Sequence, residues 1–166
     1  MNLPKRYHPA LVVLHWLTLV LMLGAGFLAD GEGGGSSPID IHMILGVLLL
    51  IVLVIRVIVR FSTKRPAWAD TGNAMLNKFG ELVHVGLYGL AFFILGMGGL
   101  IAYNRNLFAA IMGASGVTGE GRGLIGIFHQ LGWFLAVLLI LAHVGAAFYH
   151  QIILKDKLMD RMWFGK

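Results

Sequence analysis

The chain contains no cysteine, only four prolines, and few charges, which make up 13% of its 166 residues. Without thiols there can be no iron–sulfur cluster, thiolate zinc site, redox disulfide or covalently attached c-type haem. An ordinary globular domain is about 25% charged and about 45–50% apolar. Here 58% of the residues are hydrophobic and the mean hydropathy is +0.81, an excess that so small a core cannot bury. Disorder, a disulfide scaffold and an ordinary water-soluble enzyme are excluded on the same ground. The composition is that of an integral membrane protein.

What is present comes in long apolar runs. A bilayer core takes about 20 apolar residues as a helix, and four stretches qualify: 10–29, 41–61, 82–103 and 124–154. Asp30 to Pro38 is a glycine-rich turn, with Pro38 suited to a helix start. Residues 62–77 form a polar loop containing Pro66, and 104–123 is glycine-rich but carries an apolar patch from Leu107 to Met112, expected against the membrane interface. Lys5 and Arg6 before the first run resemble a signal peptide. That run is longer than a typical signal core and holds His15 and Trp16 in its first turns, so a retained helix is expected. The predicted fold is all-α: one domain, 1–166, forming an integral membrane four-helix bundle with no visible internal repeat.

The formal net charge of +5 does not point to nucleic acid, because the basic residues are dispersed. Their sidedness has a membrane explanation. Lys5, Arg6, Arg56, Arg60, Lys64, Arg65, Lys78, Lys155, Lys157, Arg161 and Lys166 fall on one side, and only Arg105 and Arg122 on the other. Both termini are therefore expected in the cytoplasm. In a bacterial cell the other side is the periplasm.

Six of the seven histidines lie within the four runs: His15, His42, His84, His129, His143 and His150. Each imidazole in a membrane helix must find a partner away from water, so a metal centre or proton path explains six better than isolated hydrogen bonds do. His129 and His143 are fourteen residues apart, about 21 Å of helix, and about 40° apart around its axis. They face one side at two depths, which suits two stacked haems. His42 and His129 are the histidines of the outermost turns and form the expected outer axial pair. Near the inner surface lie His15, His84, His143 and His150. The inner haem is assigned to His15 and His143, with His84 and His150 left for a neighbouring site; a pairing that uses His84 remains open. Bis-histidine ligation fills both axial positions and favours electron transfer. Gly46, Gly86, Gly89, Gly132, Gly145 and Ala146 lie near these positions, giving either room for a cofactor or ordinary helix contact. His8 precedes the first run and is not expected to bind iron. The eight methionines show no metal-box spacing and read as packing.

These residues resemble the bacterial-type cytochrome b561 family, including the superoxide oxidases. The likeness rests on His15-Trp16, His42, His84-Val85-Gly86-Leu87-Tyr88 and Gly99-Leu100-Ile101-Ala102-Tyr103-Asn104-Arg105. It continues through His129, His143 and His150 to Lys155-Asp156 and Arg161-Met162. The resemblance implies two non-covalent b-type haems in a bacterial inner-membrane protein. It also implies a superoxide:ubiquinone oxidoreductase, with superoxide oxidised at the periplasmic face and ubiquinone reduced near the cytoplasmic face. Residues 109–123 differ from the form associated with superoxide oxidases, which bears on the donor more than on the haems.

On that reading Arg105, with Tyr103 and Asn104, forms the donor side, since an anionic donor is drawn to cations near a cleft. His84, His150, Lys78 and Glu81 are candidates for the quinone side, where reduction needs proton donors. Arg56 and Arg60 could pair with inner haem propionates. The competing readings are a cytochrome b subunit passing electrons from a periplasmic partner to quinone, and a non-redox proton-conducting bundle. The short connections favour a self-sufficient oxidoreductase.

Overall fold

The computed structural model describes residues 3–27, 38–113 and 123–163. They form α1 (Pro9–Phe27), α2 (Pro38–Ser62), α3 (Ala74–Asn104), the short α4 (Leu107–Ile111) and α5 (Gly123–Phe148). A π-helical turn, Tyr149–Leu154, continues α5, and a 3-10 helix, Leu158–Met162, follows. Pro38 opens α2, where its missing N–H would have no intrahelical partner anyway. Among the described residues, four helices are long and apolar enough to cross a membrane: Pro9–Phe27, Asp40–Ser62, Ala74–Asn104 and Gly123–Leu154. The chain is an all-helical membrane bundle. Residues 28–37 and 114–122, which include Arg122, most of the first connecting turn and the end of the first predicted run, lie outside the described residues.

α3 begins well before the apolar run that announced it. Asn73 caps its N-terminus, its side chain accepting from the N–H groups of Met75 and Leu76 at 2.9 and 3.3 Å. The turn ahead of the cap is closed by Asp70, which accepts from the Asn77 amide at 2.7 Å and from Gly72 N–H at 2.9 Å. Those two bonds hold the Asp70 carboxyl below its ordinary pKa. The stretch from Leu107, whose conformation sequence reasoning left unread, contains α4. It buries Leu107 and leaves Phe108 and Met112 exposed.

The helices pair as two hairpins. α1 lies along α2 and α3 along α5, while the two pairs approach each other closely at few points. α3 and α5 meet tightly through glycine: a Cβ on Gly132 would stand 2.8 Å from Ile94 Cγ1, and one on Gly86 would stand 3.1 Å from Leu139 Cδ1. An apolar layer joins the hairpins at mid-height. Leu21, Met22, Leu49 and Ala136 form its buried centre, with Leu90, Ile94, Trp133 and Ile140 packed against it. Ala136, 1% exposed, is seven residues from both His129 and His143. The core thus separates two histidine levels. Around the bundle the exposed side chains of α2 include Ile44, Val47, Ile51 and Ile58, an apolar surface suited to lipid.

Candidate haem and quinone sites

Two levels are defined by the bundle's ends. The terminal end carries Pro9, Ser62, Ala74 and Leu154; the far end carries Phe27, Pro38, Asn104 and Gly123. At the far end His42 and His129 face each other across the gap between hairpins, ring centres 5.9 Å apart and planes at 81°. His42 Nδ1 donates to the carbonyl of Ala25 at 2.8 Å, and His129 Nδ1 donates to the carbonyl of Ile94 at 2.9 Å. A carbonyl can only accept, so both rings donate through Nδ1, which makes Nε2 the nitrogen through which either ring could ligate a metal. This is how protein scaffolds orient metal-binding imidazoles.

At the terminal end three rings gather. His143 lies 6.1 Å from His15 across the gap and 4.9 Å from His84 within the α3–α5 hairpin, centre to centre. An imidazole nitrogen sits about 2.0 Å from a metal and about 1.1 Å from its ring centre, so two imidazoles on opposite faces of one iron stand about 6 Å apart. His42–His129 and His15–His143 fit that spacing; His84–His143 is too close. The packing agrees, because α3 and α5 lie in close contact whereas the two hairpins approach each other at few points.

His84 Nδ1 donates to the Gly80 carbonyl at 2.8 Å, and its ring meets the edge of Trp68 at 6.0 Å. His15 Nδ1 faces a guanidinium nitrogen of Arg56 at 2.9 Å. Arginine only donates, so His15 Nδ1 accepts in this arrangement and its proton sits on Nε2. Ligation through Nε2 needs the opposite tautomer and release of Arg56.

Around Arg56 lies a cluster that sequence reasoning only half identified. The guanidinium carbons of Arg56 and Arg60 lie 5.3 and 5.6 Å from the Tyr88 ring centre. Arg56 Nε and the Tyr88 hydroxyl are buried without a hydrogen-bond partner among the described residues. A buried polar group left in that state costs about 1–3 kcal/mol, more when charged. The donor set fits a carboxylate such as a haem propionate. Tyr88 lay in a quoted motif, yet nothing in its spacing marked its hydroxyl as an orphan.

Arg105 caps the C-terminus of α3, half-buried, with Nε also buried and unpartnered among the described residues. Tyr103 is 79% exposed and Asn104 is exposed, so among the described residues neither is held in a cleft. At the terminal end a cavity of about 450 Å³ is lined by Trp68, Ala69, Asp70, Ala74, Asn77, Lys78 and Glu81. Lys78 and Glu81 therefore share a cavity beside His84. His150 is not brought to it. The ring is 6% exposed, its Nδ1 donating to Asp156 at 2.6 Å in the C-terminal turn. Of the glycines near the histidines, Gly86 and Gly132 serve helix contact, while a Cβ on Gly46, Gly89 or Gly145 would meet nothing within 4 Å.

The sequence model of the prokaryotic cytochrome b561 family matches residues 6–165. Cytochrome b561 homolog 1 of Escherichia coli (strain K12) is 28% identical over 171 aligned residues, covering 95% of this chain and 97% of that protein. Cytochrome b561 homolog 2 of the same organism is 27% identical, covering 97% and 93%. A cytochrome b562 of Cereibacter sphaeroides is 28% identical, covering 74% and 65%.

Proposed function

Since this chain belongs to the prokaryotic cytochrome b561 family, we propose that it oxidises superoxide at the periplasmic face of the bacterial inner membrane and reduces ubiquinone near the cytoplasmic face. The family makes it a membrane b-type cytochrome working in electron transfer. The observation that carries the finer reading is the pair of imidazoles from opposite hairpins at each of two levels, 5.9 and 6.1 Å apart. His42 and His129 would hold one haem, His15 and His143 the other. Each haem, when bound, would supply a reversible one-electron iron couple.

The chain's own residues then have distinct tasks. Arg56 leaves His15 Nδ1 and, with Arg60, turns to the inner propionates. Arg105 draws the anionic donor to the far end. Lys78, Glu81 and His84 bind the quinone head and handle its protons in the cavity beside Trp68. The balance is two superoxide anions, one quinone and two protons giving two dioxygen molecules and one quinol. The terminal end, rich in Lys and Arg, is the cytoplasmic end.

The test uses the purified single chain with its haem, a superoxide-generating system and a short-chain ubiquinone. Quinol formation abolished by superoxide dismutase is the expected result. Haem that superoxide leaves oxidised, but that a periplasmic protein fraction reduces, would favour the subunit reading.

A further inference from the structure

α3 supplies no histidine at the far end, yet it touches the His129 ring twice. The Ile94 carbonyl accepts from Nδ1 at 2.9 Å. One turn on, Gly98 lies under the ring: a Cβ there would stand 3.0 Å from Cε1, 3.4 Å from Nδ1 and 3.9 Å from Nε2. Carbon atoms make optimal contact at about 3.5–4.0 Å, so the ring rests where a methyl group would have to push it. A hydrogen bond at Nδ1 does not by itself fix the tilt of an imidazole about that bond. The bare backbone at Gly98 defines how far it can tilt toward α3.

We propose that Gly98 is a positioning residue: by lacking a side chain it lets His129 lie against α3, keep its bond to Ile94 and aim Nε2 across the gap at His42. This rests on the reading of His42 and His129 as an axial pair. The consequence is electronic as well as steric. The Nδ1–H···O=C bond makes a ligating imidazole a stronger donor to its metal. A methyl at position 98 would displace the ring and lengthen that bond, so iron held by His129 would become easier to reduce. The neighbouring Gly96 and Gly99 provide the contrast, since a Cβ at either meets nothing within 4 Å. Alanine at any of the three improves helix propensity alike.

The experiment compares the haem-loaded wild type with Gly98→Ala, Gly99→Ala and His129→Ala. It reads haem per chain, the low-spin ferric signals by low-temperature electron paramagnetic resonance, and an optical redox titration. Gly98→Ala should move one of the two ferric signals and raise that haem's midpoint potential, or release that haem alone, while Gly99→Ala superimposes on wild type. Unchanged signals and potentials in Gly98→Ala overturn the proposal. So does loss of both haems with Gly99→Ala intact, which would make Gly98 a residue of bundle packing. Retention of both low-spin haems by His129→Ala overturns the axial pairing itself, and is distinguishable because it does not depend on position 98.

Discussion

At the scale of single residues the proposed axial sets make opposite demands on substitution. His42→Ala and His129→Ala should each reduce bound haem from two per chain to one, and should remove the same spectral component. His15→Ala and His143→Ala should remove the other. His84→Ala should keep both, because its 4.9 Å approach to His143 leaves no room for iron between them. Haem per chain and the split of the reduced absorption band decide this; loss of a haem in His84→Ala with retention in His15→Ala reverses the inner assignment. The six membrane histidines could be read from the chain because imidazole is conspicuous among aliphatic residues, and the fourteen-residue interval fixed two depths. Their carbonyl partners on Ala25 and Ile94 could not, since any backbone can accept and only tertiary packing selects which does. Arg105 makes a separate prediction. Arg105→Ala should slow superoxide-driven haem reduction about tenfold at low ionic strength, with the difference shrinking as salt screens the attraction. Stopped-flow rates across a salt series test it, and identical rates in both proteins at low salt would remove Arg105 from the donor side.

At the scale of elements, α3 shows what hydropathy misses. The apolar run predicted a start at residue 82, whereas the helix starts at Ala74. Its first two turns are amphipathic, carrying Asn77, Lys78 and Glu81, so no apolar window includes them. Asn73, inside the stretch read as a loop, caps the helix, and the Asp70–Gly72–Asn77 turn that the fold completes supports it. Those turns also carry most of the cavity wall, so cap and site are coupled. Asn73→Ala should cost about 1 kcal/mol at that helix end. It should raise the KM for quinone several-fold while leaving superoxide-driven haem reduction at the wild-type rate. Equal loss in both half-reactions would mean the cap supports the whole bundle and not the cavity. The C-terminal turn was equally opaque. Its π register and the left-handed Lys155 and Lys157, at φ 55 and 57°, come with one tie inside the turn and one distant in sequence. Asp156 binds His150, and the Met162 carbonyl accepts from the Trp16 indole at 2.9 Å.

For the whole molecule the governing feature is that an apolar layer joins the hairpins at mid-height, with imidazole rings paired toward either end. Such a bundle carries charge through the membrane only if its two ends face different compartments. Orientation is therefore part of the mechanism. The Lys and Arg distribution predicts it, eleven against two, and the absence of cysteine makes it directly measurable, because any introduced thiol is the only one present. Met112, 84% exposed beyond α4, marks the far end, and the exposed Lys64 marks the terminal end. In intact spheroplasts a membrane-impermeant maleimide should label Met112→Cys, and should label Lys64→Cys only after lysis. The opposite pattern would set Arg105 in the cytoplasm and the Lys78–Glu81 cavity outside. Superoxide from the periplasm would then meet the cavity end first, and the donor and quinone ends would have to exchange places along the same pair of haems.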